Sequence, residues 1–126
     1  MRDFINIVSE NTMIIPVLYH GTCSHSAENL IKNGWTPRSW AQGANMGQSR
    51  YLYLSSDSDD ALWFAEEKGC NTVVQVKNVP TDLLRVDPED GIGSSVIDEL
   101  NNPHGLPGKV VLISALGPEY FSIHEN

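Results

Sequence analysis

The sequence predicts an α+β domain: an antiparallel-rich sheet with two early helices. Three observations carry this. Two strand-then-helix units stand before residue 70, at 13–19 with 26–32 and at 51–56 with 59–68. Beyond Gly69 the apolar segments are mostly strand-like, at 72–79, 83–86, 109–115 and 120–124. No internal repeat, low-complexity tract or linker divides the 126 residues, so the reading is one domain over 1–126.

The elements follow in order. Residues 1–13 read as a short arm or helix leading in. Met13 to Tyr19 is apolar apart from Pro16, which favours an edge position or a start at Val17. Thr22 or Ser24 can cap a helix over Ser26 to Lys32, with Ala27, Leu30 and Ile31 facing inward and Gly34 as its C-cap. Trp35 to Arg50 is long and irregular, and loops of that length are often functional lids. Tyr51 to Ser56 alternates, with Tyr51, Tyr53 and Ser55 on one face and Leu52 and Leu54 on the other. Asp57 to Asp60 opens a helix running from Asp59 to Lys68, and the acidic first turn suits the positive helix end. Ala61, Leu62, Phe64 and Ala65 supply its inner stripe, and Gly69 stops it.

Thr72 to Val79 reads as a strand, and Leu83 to Val86 as another or as its continuation past Pro80. Asp87-Pro88-Glu89-Asp90-Gly91 reads as a solvated acidic turn, and Ser95 to Leu100 as a short helix. Lys109 to Ala115 and Tyr120 to His124 are the last strands, separated by Gly117-Pro118.

Composition narrows the function. The formal charge of −8 argues against general affinity for duplex DNA or anionic membranes, which need clustered Lys and Arg. It leaves room for one anionic small ligand held by backbone amides and one or two arginines. Cys23 and Cys70 form no Cys-x-x-Cys pair and read as reduced thiols of a cytoplasmic protein, a disulfide being the minority reading. Neither a signal peptide nor a membrane span is read in the chain. His20, Cys23 and His25 lack a second paired cluster, so no metal is expected.

The chemistry centres on Val17-Leu18-Tyr19-His20-Gly21-Thr22. A strand ends there in a histidine, with a glycine that lets a ligand approach the backbone, a hydroxyl, and a helix start just after. A histidine at a strand end is also at home in a purely structural role. Tyr51 and Tyr53 serve equally as cross-strand packing or as a platform for a planar ring.

Leu18 to Thr22, Asn29 to Gly34, Tyr51 to Ser55 and Ala61 to Ala65 together resemble the ADP-ribosyltransferase superfamily. The likeness is to the His-Tyr-Glu branch of diphtheria toxin and the poly-ADP-ribose polymerases, with the RNA 2'-phosphotransferases as a related possibility. It covers residues 17–66 well and the rest loosely.

The resemblance implies split, antiparallel-rich sheets and an enzyme with NAD as co-substrate. His20 would hydrogen-bond the ribose beside nicotinamide, and Gly21 would hold the carboxamide. Tyr53 would stack on the nicotinamide ring, with Tyr51 as a second aromatic contact. Thr22 and Ser55 would border the pocket, and Arg38 or Arg50 would meet the pyrophosphate under a lid. The family's glutamate begins a late strand, and Glu119 in Pro118-Glu119-Tyr120 is the candidate, with Glu125 second. The expected activity is transfer of ADP-ribose to a macromolecular or small acceptor, as in a bacterial toxin or effector, with an inhibitor protein as a candidate partner. The alternatives are RNA 2'-phosphate removal and a non-catalytic NAD-, ADP-ribose- or protein-binding domain.

Overall fold

The computed structural model describes residues 12–37, 50–102 and 105–125. The elements in order are β1 (Ile14–Thr22), α1 (Ser24–Asn33), β2 (Leu52–Ser55), α2 (Ser58–Glu67), β3 (Thr72–Pro80), β4 (Leu84–Val86), α3 (Val96–Leu100), β5 (Lys109–Leu112) and β6 (Phe121–Ile123). Short 3-10 turns precede β4 and β6, at Thr81–Leu83 and Pro118–Tyr120. The six strands lie in the order β4-β5-β2-β1-β3-β6, and every pairing is antiparallel. The fold class is therefore α+β, as the sequence predicts.

The sheet is two half-sheets joined at a narrow seam. β1 pairs with β3 from Ile14↔Pro80 to Thr22↔Thr72, with a gap at Pro16. Its pairing with β2 is confined to Tyr19↔Ser55. The short β3–β4 connection requires the halves to fold towards each other. In a flat sheet β3 and β4 would stand four strand spacings apart, roughly 19 Å. Pro80 and Leu84 are only four residue steps apart, which span at most about 14 Å. The turn is also anchored to both halves: Thr81 N–H donates to Met13 O at 2.8 Å, and Ile113 N–H donates to Leu83 O at 2.9 Å.

The core lies between the halves. Leu18, Val74, Val76, Val79 and Phe121 come from one, and Leu52, Leu54, Leu84, Val110 and Leu112 from the other. Ala27 and Leu30 of α1 join this cluster. Residues of the alternate register, Val73 and Val111, are buried outside it, as are Ala61 and Ala65 of α2. The period-2 alternation thus gives each strand one face for the core and one for the opposite side.

Local chemistry explains the element ends. Pro16 does not terminate β1, because in the Tyr19↔Ser55 register β2 has already ended at its level, so no β2 partner needs its missing N–H. Opposite it, Asn78 adopts φ 59°. Helix α1 begins two residues earlier than expected, with Cys23 at the N-cap and no side-chain cap bond. Gly34, at φ 74°, returns its N–H to Leu30 O and closes α1 as predicted. Its Cα also abuts the Leu116 carbonyl, where Trp35 and Leu116 form an isolated bridge. Asp57 caps α2, accepting from Asp59 N–H. β4 is a separate edge strand, not a continuation of β3.

The cysteine expectation is corrected. Cys23 and Cys70 form a disulfide, with Cα atoms 5.0 Å apart. Their separation of 47 residues hid a pairing that the packing of α2 against β1 brings about. With Cys23 in that bond, the His20, Cys23 and His25 trio has no thiolate to offer a metal. Among the described residues no helix is long and apolar enough to cross a membrane.

Candidate active site

The site sits where the two half-sheets part. Beyond the Tyr19↔Ser55 pair the β1–β2 ladder stops, although both strands continue to Thr22 and Leu52. A backbone group there loses its ladder partner and needs another. The His20 ring supplies one: its Nδ1 lies 2.8 Å from Tyr53 O. A carbonyl only accepts, so Nδ1 carries the hydrogen and Nε2 keeps a lone pair. His20 is lowered from the ordinary 6.5 to about 4. Burial is the main cause, the Tyr53 carbonyl opposes it, and the Lys68 ammonium adds to it. At neutral pH the site therefore holds a neutral imidazole with Nε2 as an acceptor.

Two cavities border this opening. One, of about 240 Å³, is walled by Ala61, Phe64 and Lys68 of the α2 segment and by Tyr53, Ser55, Glu89 and Lys109. The other, of about 660 Å³, is walled by Ser26, Asn29 and Asn33 of α1 and by Thr22, Trp35 and Tyr51. His20, Tyr53 and Lys68 line both. Among the described residues, the α1 cavity has hydroxyls, amides, aromatic rings and the Lys68 ammonium on its wall. The α2 cavity carries the acidic groups Asp87, Glu89 and Asp90 opposite Lys68 and Lys109.

Tyr53 is 37% exposed, and its ring stands at 87° to that of Tyr51, with centroids 6.4 Å apart. Tyr51 therefore buttresses Tyr53 edge-on and is not a second parallel platform. The Tyr53 hydroxyl donates to Glu89 Oε1 at 3.3 Å.

The acidic turn is solvated at Pro88, Glu89 and Asp90, as the sequence predicts, but not at Asp87. Asp87 is buried, and its Oδ1 accepts from Glu89 N–H at 2.8 Å and from Asp90 N–H at 3.2 Å. Glu99, on α3, is 1% exposed. Its Oε1 accepts from Ile92 N–H at 2.8 Å and Gly93 N–H at 2.6 Å, and its Oε2 from Lys109 N–H at 2.9 Å. Burial opposes its charge, but the amides of Lys109, Gly93 and Ile92, aided by the Lys109 ammonium, hold it below the ordinary carboxylate value. Lys109 is fixed in turn: its Nζ lies 4.8 Å from the Phe64 ring centre and 3.5 Å from Asp60 Oδ2. That Asp60 oxygen makes no hydrogen bond, so the contact is an ion pair at the limit of hydrogen-bonding range.

The predicted residues divide. His20, Tyr53 and Ser55 come together, with Thr22 and Tyr51 on the α1 side. Ser55 is buried and its Oγ accepts from Asp57 N–H at 3.1 Å, which ties it to the start of α2. Gly21 borders the α2 cavity, but its lack of a side chain has another cause. A Cβ there would overlap the Ala61 carbonyl, so the glycine admits the α2 backbone. Arg50 is exposed and lines neither cavity. Arg38, and most of the proposed lid at 35–50, lie outside the described residues.

Glu119 is not brought to the site. It is exposed in the turn before β6 and lines neither cavity. The register explains why. His20 pairs with Val74, and Val74 with Ile123, so Ile123 is the β6 residue level with His20. Glu119 stands four residues back, towards the other end of β1. Glu125, also exposed, lines neither cavity. The late strand whose start does border the site is β5, and the residue there is Lys109.

Sequence reasoning missed Lys68, Glu89 and Lys109. Lys68 and Lys109 carried no motif. Glu89 stood in a turn whose composition looks solvated, and only its pairing with Tyr53 marks it. No protein-family model matches this chain, and no curated protein matches it.

Proposed function

We propose that this chain is an NAD-dependent ADP-ribosyltransferase with its donor site at the His20–Tyr53 opening. The observation that carries the reading is the hydrogen bond from His20 Nδ1 to Tyr53 O. It leaves Nε2 as a neutral acceptor, which suits a ribose hydroxyl, beside an exposed tyrosine ring that suits a planar nicotinamide. The single β1–β2 pair supports the reading, because a sheet so weakly joined at its middle suits the split sheets that the resemblance implies. Among the described residues Lys68 is the ammonium that both cavities share, and it suits a pyrophosphate. Breaking the nicotinamide–ribose bond develops positive charge on the ribose, and a site of fixed dipoles and charges lowers that barrier by orienting and stabilising it.

A toxin or effector role, with an inhibitor protein covering this opening, belongs to the same proposal. The expectation of a cytoplasmic protein rested on free thiols, whereas a disulfide fits an oxidising compartment.

One observation favours a second reading, RNA 2'-phosphate removal. Glu119 stands away from the site. The RNA 2'-phosphotransferases likewise carry a late Pro-Glu-Tyr without using its glutamate as the catalytic acid. Lys68 and Lys109 would meet the phosphate.

The test is NAD with and without cell lysate as acceptor, followed by thermal shift and nicotinamide release. Neither shift nor nicotinamide in any mixture would refute both enzymatic readings. A shift without turnover would leave a binding domain. Turnover confined to 2'-phosphorylated RNA, with a cyclic phosphate product, would select the second reading.

A further inference from the structure

We infer that Glu89 is the catalytic carboxylate of this site, carried by a turn whose backbone two buried carboxylates hydrogen-bond. The inference rests on the NAD reading above. The turn after β4 is exposed at Pro88, Glu89 and Asp90, yet two buried carboxylates secure it. Asp87 takes the amides of Glu89 and Asp90, and Glu99 takes those of Ile92, Gly93 and Lys109. Burying carboxylates is costly unless each is well hydrogen-bonded, and here the amides of the turn supply those bonds.

The restraint has a geometric result. It sets Glu89 on the wall of the cavity that His20 borders, with Oε1 3.3 Å from the Tyr53 hydroxyl. Glu89 thus meets both conditions that Glu119 fails: it shares the cavity with His20 and it touches the residue expected to stack on the leaving ring. The Tyr53 bond orients the carboxylate through Oε1, so that Oε2 can serve the reacting groups.

In the reaction, the bond between the ribose C1' and the nicotinamide nitrogen breaks. Its electron pair stays with nicotinamide, which leaves neutral. An N–H or O–H of the acceptor forms the new bond to C1', and its proton passes to the Glu89 carboxylate and then to solvent. Glu89 also stabilises the positive charge on the ribose while neither bond is complete.

The experiment compares wild type, Glu89→Gln, Glu89→Ala and Glu119→Gln by NAD thermal shift and nicotinamide release. Glu89→Gln should keep the shift and lose about 100- to 1000-fold in release, the usual effect of removing one preorganised group. Glu119→Gln should keep both. Added formate should restore part of the Glu89→Ala rate, which a merely structural defect would not allow. Wild-type release from Glu89→Gln, or a collapse confined to Glu119→Gln, would overturn the assignment while leaving the NAD reading intact. No shift and no release from wild type would overturn the NAD reading itself, and this assignment with it. Glu89 is exposed, so these substitutions should not disturb folding.

Discussion

His20 donates its Nδ1 hydrogen to the Tyr53 carbonyl at 2.8 Å, at the point where β1 and β2 cease to pair. A side chain has taken the place of a ladder hydrogen bond. The same contact closes the seam between the half-sheets and fixes the histidine tautomer, so the seam and the chemistry depend on each other.

In the folded chain His20 titrates at about 4, against an ordinary 6.5. Between those values the unfolded state binds the extra proton, so stability should fall as pH drops through this window, and His20 should cost nothing further below it. The full difference corresponds to about 3 kcal/mol at most. Urea unfolding of wild type and His20→Gln from pH 7 to pH 4 checks this. Carboxylates titrate in both proteins, so the difference between the curves isolates His20. Parallel curves would contradict the predicted linkage.

Gly21→Ala should disrupt the site by displacing α2. The added methyl group would overlap the backbone carbonyl of Ala61, which cannot move without its helix. Overpacking against backbone costs about 3 kcal/mol or more. The expected result is a large fall in melting temperature together with loss of NAD binding. A variant as stable as wild type would show that α2 does not seat so closely on β1.

Glu99→Gln should destabilise by about 2–4 kcal/mol, since an amide cannot accept from all three backbone donors and turns its own N–H groups towards them. The loss should be smaller in acid. Glu99 is held below its ordinary value, so its contribution is complete at neutral pH and disappears as pH falls through its folded pKa. Hydrogen exchange should show Ile92, Gly93 and Lys109 amides exposed in the variant. Unchanged protection would mean that the turn is held by other contacts.

Reduction of Cys23–Cys70 should lower stability by roughly 4 kcal/mol, the loop-closure value for a 47-residue separation. Cys23 caps α1 and Cys70 lies just beyond α2, so the bond ties together the segments that wall the two cavities. Thermal melts with and without dithiothreitol measure the effect, with Cys23→Ser plus Cys70→Ser as the control. A double variant that melts with the oxidised wild type would show that the bond contributes nothing.

Much of this protein is determined by local sequence. Apolar alternation places β2 and β3. Asp57, Gly34 and Gly69 mark helix ends because caps depend on one or two residues. Leu52 and Leu54 face the core, and Tyr53 faces away, because a strand has period two. The end of β1 at His20-Gly21-Thr22, and Tyr53 as its neighbour, were also legible, since each belongs to a short motif.

What depends on long-range contact was decided only by tertiary structure. Cys23 meets Cys70 because α2 packs on β1 through Gly21. Composition cannot show that Asp87 of the acidic turn is buried, nor that Glu99 on α3 reaches back to Ile92 and Gly93. Glu119 looked catalytic by its neighbours in sequence, but the β1–β3–β6 register carries it to the far end of the sheet. Glu89 sits on the cavity wall because β4 lies beside β5 and β5 beside β2, a strand order that no local segment encodes. Side-chain period and capping are properties of a few neighbouring residues, whereas the meeting of His20, Tyr53 and Glu89 is a property of how two half-sheets close on each other.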